Sequence, residues 1–212
     1  MYVYLSYPIA EGQIAWPDAP IYMSARHDII GIDGSVCNTS IMTIPNHFGT
    51  HYDAPLHFNA KGPRITELPM EYFCFKGEDI LILDIPKTFR EVITAEDVMP
   101  HKEAIAKAKL LLFRTGFEKE KERNPQGYKY ENPSAHPGLC RYLVENFPNL
   151  CTIGLDSLSL GSVCNDYATD AHHWLLGYYT DKFITVIEDG NKDNQIAGMG
   201  ITLPSLSRAL QK

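Results

Sequence analysis

Lys109-Leu-Leu-Leu-Phe-Arg-Thr115 is apolar at four successive positions and ends on a charge and a hydroxyl. So short a run, without helical periodicity, reads as a strand buried on both faces, as in a parallel sheet covered by helices. Three more runs share its character: Asp79–Ile85 (DILILDI), Cys151–Asp156 (CTIGLD) and Phe183–Glu188 (FITVIE). Helical signals fall between them. Thr94-Ala-Glu-Asp97 resembles a capping sequence ahead of the Ala- and Lys-rich Lys102–Lys109. Pro137–Asn146 opens with a proline suited to a first turn and sets Leu139, Tyr142 and Leu143 on one face. Strand, helix, strand, helix, strand predicts an α/β core for the second half.

The first 75 residues differ. Pro recurs at positions 8, 17, 20, 45, 55, 63 and 69, and extended stretches such as Ser40–Ile44 alternate with turns. A β-rich layer packed against the α/β part is expected there. The charged segment 117–132 (FEKEKERNPQGYKYEN) reads as a solvated surface loop, with a lid over a strand end as the alternative.

With 212 residues, no linker and no repeat, one domain spanning 1–212 is expected. The formal charge of −7 disfavours nucleic acid and anionic membranes as partners and leaves a small molecule as the expected one. Five widely spaced cysteines without a C-x-x-C pair suit a reduced, cytoplasmic protein. Met1–Pro8 has neither the basic nor the apolar region of a secretory leader. The apolar runs fall far short of the roughly 20 residues of a spanning helix.

The chemistry concentrates in His47-Phe-Gly-Thr-His51-Tyr-Asp53-Ala-Pro-Leu-His57. Gly49 and Pro55 oppose a continuous helix. In an extended chain, positions 47, 51, 53 and 57 project to one side, while Phe48, Tyr52, Leu56 and Phe58 mostly face the other. Three imidazoles and a carboxylate then share a common point, a metal site. The mixed N/O donor set suits zinc, manganese or iron and is typical of catalytic rather than structural zinc. Competing motifs are weak. Ser157–Gly161 lacks the first glycine of a nucleophile elbow, Gly198-Met-Gly200 opens no dinucleotide fingerprint, and Cys164 lies near His172 without a further signal.

The pattern His47-x-Gly-Thr-His51-x-Asp53-x-Pro-x-His57 resembles the signature of the metal-dependent cyclase family, which includes bacterial kynurenine formamidases and isatin hydrolases. Trp16-Pro17, Leu112-x-Arg114-Thr115-Gly116, Gly154-x-Asp156 and Asp170-Ala-His172-His173 follow in the family's order, whereas the residues after Asn191 depart from its usual ending. The resemblance implies an α/β fold of β/β/α layers, swivelling-domain-like, with a mixed sheet. It implies that His47, His51 and Asp53 bind one divalent ion and that Asp53 bridges to a second. His172 (or its neighbour His173) and Glu188 would complete the second set. His57 would give and take protons, and Trp16 would line the substrate pocket. One or two Zn2+ ions are the expected cofactor, with Mn2+ as the alternative, in a homodimer or homotetramer.

The activity that the resemblance implies is hydrolysis of a C–N amide or formamide bond in a small, aromatic substrate, as in an arylformamidase. A bound ion supplies activated water near neutral pH, and a His57 of ordinary pKa, near ~6.5, suits the proton shuttle. Two other readings use the same residues: a cyclase or lyase acting on a carbonyl substrate, and a non-catalytic metal- or small-molecule-binding protein.

Overall fold

The structure, a computed structural model, describes residues 5–191. The segment beyond Asn191, including Gly198-Met-Gly200, lies outside the described residues. The strands are β1 (Met23–Arg26), β2 (Ser40–Thr43), β3 (His51–Asp53), β4 (Ile80–Asp84), β5 (Val92–Ile93), β6 (Leu110–Arg114), β7 (Ser134–Ala135), β8 (Thr152–Leu155) and β9 (Thr185–Glu188). The helices are α1 (Ala95–Val98), α2 (Lys102–Ile105), α3 (Glu120–Arg123), α4 (Pro125–Tyr130), α5 (Pro137–Asn146) and α6 (Tyr167–Leu175).

The four apolar runs form a parallel array within one five-stranded sheet, ordered β3-β9-β8-β6-β4. β3 closes one edge antiparallel to β9 and makes the sheet mixed. Along β6, alternate residues enter opposite layers. Leu111 and Phe113 join a cluster with Ile153, Leu155, Leu139 and Leu143, while Leu110 and Leu112 join Phe75 and Ile80 on the other face. Fully burying each such side chain contributes about 1.5–3 kcal/mol, which is why the run tolerates no polar residue on either face.

α5 spans Pro137–Asn146, and its first turn is capped by His136, whose Nδ1 accepts from the Gly138 N–H at 3.0 Å. The helix expected through Lys102–Lys109 is instead broken. α1 ends at Val98, a 3-10 turn runs Met99–His101, and α2 ends at Ile105. Pro100, which has no N–H to give the α-helical ladder, sits in that turn. The Thr94 signal does operate: its N–H donates to the Asp97 carboxylate at 2.7 Å. α6 had no clear signal in the sequence. Its residues, YATDAHHWL, mix charge, imidazole and apolar groups, yet Ala171, His172 and Leu175 turn inward.

The first half supplies β3, several 3-10 turns and the β1–β2 hairpin, whose strand residues are all exposed. The segment 117–132 corrects its expected role as a solvated loop. It folds as a 3-10 turn followed by α3 and α4, with Phe117 and Tyr128 buried, stacked at 5.6 Å between ring centres and packed with Leu158. Its charges dominate the composition, but two aromatic residues eleven positions apart anchor it. Among the described residues, no helix is long and apolar enough to cross a membrane.

Candidate metal centre

The motif is extended only over β3. Gly49, at φ +64°, turns the chain ahead of the strand, and His57 ends a 3-10 turn that starts at Pro55. The left-handed conformation at Gly49 is one that a side chain disfavours. The expected single extended face is therefore a strand flanked by two turns, and these still bring His47, His51, Asp53 and His57 together. β9 supplies the opposite wall, because the antiparallel register sets His51 directly across from Glu188. α6 contributes His172 from above.

Two of the imidazoles have their tautomers fixed by main-chain carbonyls. His51 donates from Nδ1 to Gly49 O at 2.8 Å, and His172 donates from Nδ1 to Ala168 O at 2.6 Å. A carbonyl can only accept, so each ring, when neutral, directs its Nε2 lone pair at the centre. His51 Nε2 lies 3.5 Å from Asp53 Oδ1 and 3.6 Å from Glu188 Oε2. His172 Nε2 lies 3.6 Å from Asp53 Oδ2 and 3.4 Å from Glu188 Oε1. His47 Nδ1 is 3.2 Å from Asp53 Oδ1 and 2.9 Å from His51 Nε2. Phe58 stacks on the His172 ring at 4.3 Å and holds it flat.

Asp53 tests whether these residues suit a cation. Its side chain is completely buried, yet neither carboxylate oxygen has a hydrogen-bond partner. A buried carboxylate left so costs several kcal/mol unless a positive charge compensates it. The donor atoms of His47, His51, Asp53 and Glu188 lie within 4.8 Å of one another, and so do those of Asp53, His57 and His172. Asp53 belongs to both groups. The residues fit one or two divalent ions sharing that carboxylate, with imidazole and carboxylate donors and no thiolate.

The electrostatics agree. Burial opposes ionisation of Asp53, but the polar contacts of His172, His47 and His51 outweigh it and hold the carboxyl far below the usual range. Burial likewise opposes charge on His51 and His172, yet the neighbouring Asp53 and Glu188 raise them to about 9 and about 10. The two acids thus draw protons onto the rings where a cation would otherwise sit. His57 departs from the expected ordinary value: burial, only partly offset by Asp53, lowers it to about 4.

The centre floors a cavity of about 280 Å³ lined by Ile14, Trp16, Ala19, Phe58, Leu158 and Ala168. Trp16 lies in the wall of this cavity. His173, the alternative to His172, stacks on Tyr178 at 4.0 Å and belongs to neither donor group. Sequence reasoning missed the groups that orient Glu188. Its Oε1 accepts from Ser159 Oγ at 2.8 Å and from the Leu160 N–H at 2.7 Å. It also missed Asp189 in the cavity wall. Nothing in their local pattern announces these residues, because the loop after β8 acquires its role only when β9 lies beside it.

Comparison with known proteins places this geometry in context. The Cyclase family model, described as "Putative cyclase", matches residues 3–162. An uncharacterized protein of Haemophilus influenzae is 43% identical over 115 residues, covering 54% of this chain and 80% of that protein. A kynurenine formamidase of Sphingopyxis alaskensis is 38% identical over 58 residues, 27% of each chain. Among solved structures, isatin hydrolase A from Labrenzia aggregata, bound to benzyl benzoate, superposes with a TM-score of 0.72 at 18% identity. That superposition covers 91% of this chain and 81% of the other, a likeness of fold. With three quarters of its length matched by the family model and the signature residues gathered at one point, the chain belongs to the cyclase family.

Proposed function

We propose that this protein is a metal-dependent hydrolase that cleaves a C–N amide or formamide bond in a small aromatic substrate. One observation carries the reading: a fully buried carboxylate without hydrogen bonds, ringed by imidazoles, at the floor of an apolar cavity. The names of the kynurenine formamidase and the isatin hydrolase, similar in sequence and in fold respectively, support amide chemistry. His47, His51, Asp53, His172 and Glu188 would hold Zn2+ or Mn2+, which when bound supplies activated water at neutral pH and polarises a carbonyl.

The chain's own residues do the rest. Trp16, Ile14, Phe58 and Leu158 would sandwich the ring of the substrate and exclude bulk water. Ser159 and the Leu160 N–H keep Glu188 aimed at the centre, and the Gly49 and Ala168 carbonyls keep His51 and His172 in the metal-ready tautomer. His57, neutral above about pH 4, accepts a proton at an imidazole nitrogen and passes it to the leaving amine.

Purified protein supplied with zinc or manganese is expected to hydrolyse N-formylkynurenine or an aromatic lactam, and chelator should abolish that turnover. His57→Ala should retain metal while turnover falls roughly 10²–10⁴-fold. Loss of metal in that variant would make His57 a ligand. No hydrolysis of any amide by metal-loaded protein, with turnover of a carbonyl substrate by ring closure, would replace the hydrolase reading with the cyclase one.

The same reading includes a homodimer or homotetramer in the cytoplasm. Ile21, Met23, Ile41 and Met42, each more than half exposed on or beside the β1–β2 hairpin, support self-association. Light scattering on the eluted protein tests it, and a monomer at micromolar concentration would refute it.

A further inference from the structure

Asp189 follows Glu188 directly and adopts the left-handed conformation, φ +52°, although it carries a side chain. Four groups hold it there. Its N–H donates to Ser157 O at 2.9 Å, and its carbonyl accepts from Thr50 Oγ1 at 2.6 Å. Its carboxylate accepts from Tyr128 Oη at 2.6 Å and from Lys121 Nζ at 2.5 Å. Lys121 is itself almost fully buried, with its ammonium 3.6 Å above the centre of the Tyr7 ring. The Tyr7 N–H in turn donates to Thr50 Oγ1 at 3.0 Å.

These contacts join two particular points of the chain. Thr50 immediately precedes His51, Asp189 immediately follows Glu188, and His51 and Glu188 face each other on one rung of the β3–β9 pair. A left-handed conformation at a residue with a side chain is uncommon, and at Asp189 it is fixed by these contacts. Here Ser157 and Thr50 hold the main chain of Asp189, and the segment 117–132 holds its carboxylate through Lys121 and Tyr128.

We propose that Lys121 and Tyr128 are positioning residues for the metal centre, acting through Asp189 to set Glu188 and His51 at coordination distance. The inference rests on the metal-centre reading given above. The charged segment is thus an outer brace: none of its residues lines the cavity, and it holds the strand end that presents two ligands. Outer-shell partners of this kind typically account for a 10–100-fold change in metal affinity.

Titration of apo-protein with Zn2+ and with Mn2+ against a competing chromophoric chelator tests it, alongside the thermal midpoint of each apo-protein. Tyr128→Phe, which removes one hydroxyl and keeps the stacked ring, is expected to weaken metal binding about 10-fold with little change in the apo midpoint. Lys121→Met is expected to weaken it about 10–100-fold, with Lys121→Arg recovering part of the loss. Parent-like affinity in folded Tyr128→Phe overturns the proposal even if Lys121→Met fails to fold. A lowered midpoint with unchanged affinity also overturns it, by reducing the brace to general stability. If the parent and His51→Ala are equally indifferent to both metals, the metal-centre reading itself fails and this inference with it.

Discussion

Two buried carboxylates of the central sheet are treated in opposite ways. Asp156, just beyond β8, is saturated by its neighbours. Its oxygens accept from the Thr115 N–H at 2.8 and 3.0 Å, from Thr115 Oγ1 at 2.6 Å and from the Gly116 N–H at 2.9 Å. Asp53, in β3, has no hydrogen-bond donor at either oxygen. The first carboxylate is stabilised by fixed main-chain dipoles and ties two strand ends together. The second is surrounded by imidazoles, and positive charge, on the rings themselves or on an ion between them, is what reconciles it with burial. Burial alone therefore does not mark a functional acid; the kind of partner does.

The largest expected effect breaks the comparison at Asp53. Asp53→Asn should lose bound metal, and turnover should fall by at least roughly 10³-fold, the equivalent of about 4 kcal/mol of transition-state stabilisation. Elemental analysis of the purified variant reads the first and steady-state assay the second. Retained metal at parental stoichiometry would shift the centre of the site elsewhere.

Asp156→Asn should do the reverse. Replacing one acceptor oxygen by an amide NH2 sets donor against donor at Thr115 and Gly116, a loss of about 3 kcal/mol for contacts to a buried charge. In a chain of this size that lowers the thermal midpoint by about 6–12 °C. Metal affinity should stay parental. A variant that also loses its metal would erase the distinction between the two carboxylates.

The smallest effect sharpens the picture around Asp156. Glu118 is buried beside it, and desolvation together with the Asp156 charge raises its pKa to about 7. Folding therefore favours the protonated form. That contribution is complete below the unfolded value near ~4.3 and is lost as pH rises through about 7. Glu118→Gln cannot ionise, so its midpoint should exceed the parent's by a few degrees at pH 8, and the gap should close towards pH 5. A constant difference across that range would place the proton elsewhere.

Much of this was legible in the chain itself. The four parallel strands announce themselves because burial on both faces forces continuous apolar runs, and α5 because its proline and apolar stripe agree. The core of the site was legible because four of its residues fall within eleven positions of one strand and its turns. His172 and Glu188 became visible only through resemblance to a family, since α6 is short and mixed in character and one strand-end carboxylate looks like any other. The segment 117–132 misled because its charges outnumber its anchors: Phe117 and Tyr128 decide its place, yet they are far apart in sequence. The ordinary pKa expected of His57 failed for a related reason, because the desolvation that lowers it comes from a cavity no local pattern encodes.

β3 is three residues long and forms one border of the sheet, held to β9 by a short antiparallel ladder. Border strands are where sheets fray first, and an uncovered β9 would offer its free N–H and C=O groups to any passing chain. This border strand also carries His51 and Asp53. An ion gripping both, with Glu188 across the rung, would act as a rivet through the seam. Depleting the ion would then do more than silence a site: it would loosen the hem of the sheet and turn a metal-starved protein into one prone to stick to its own copies.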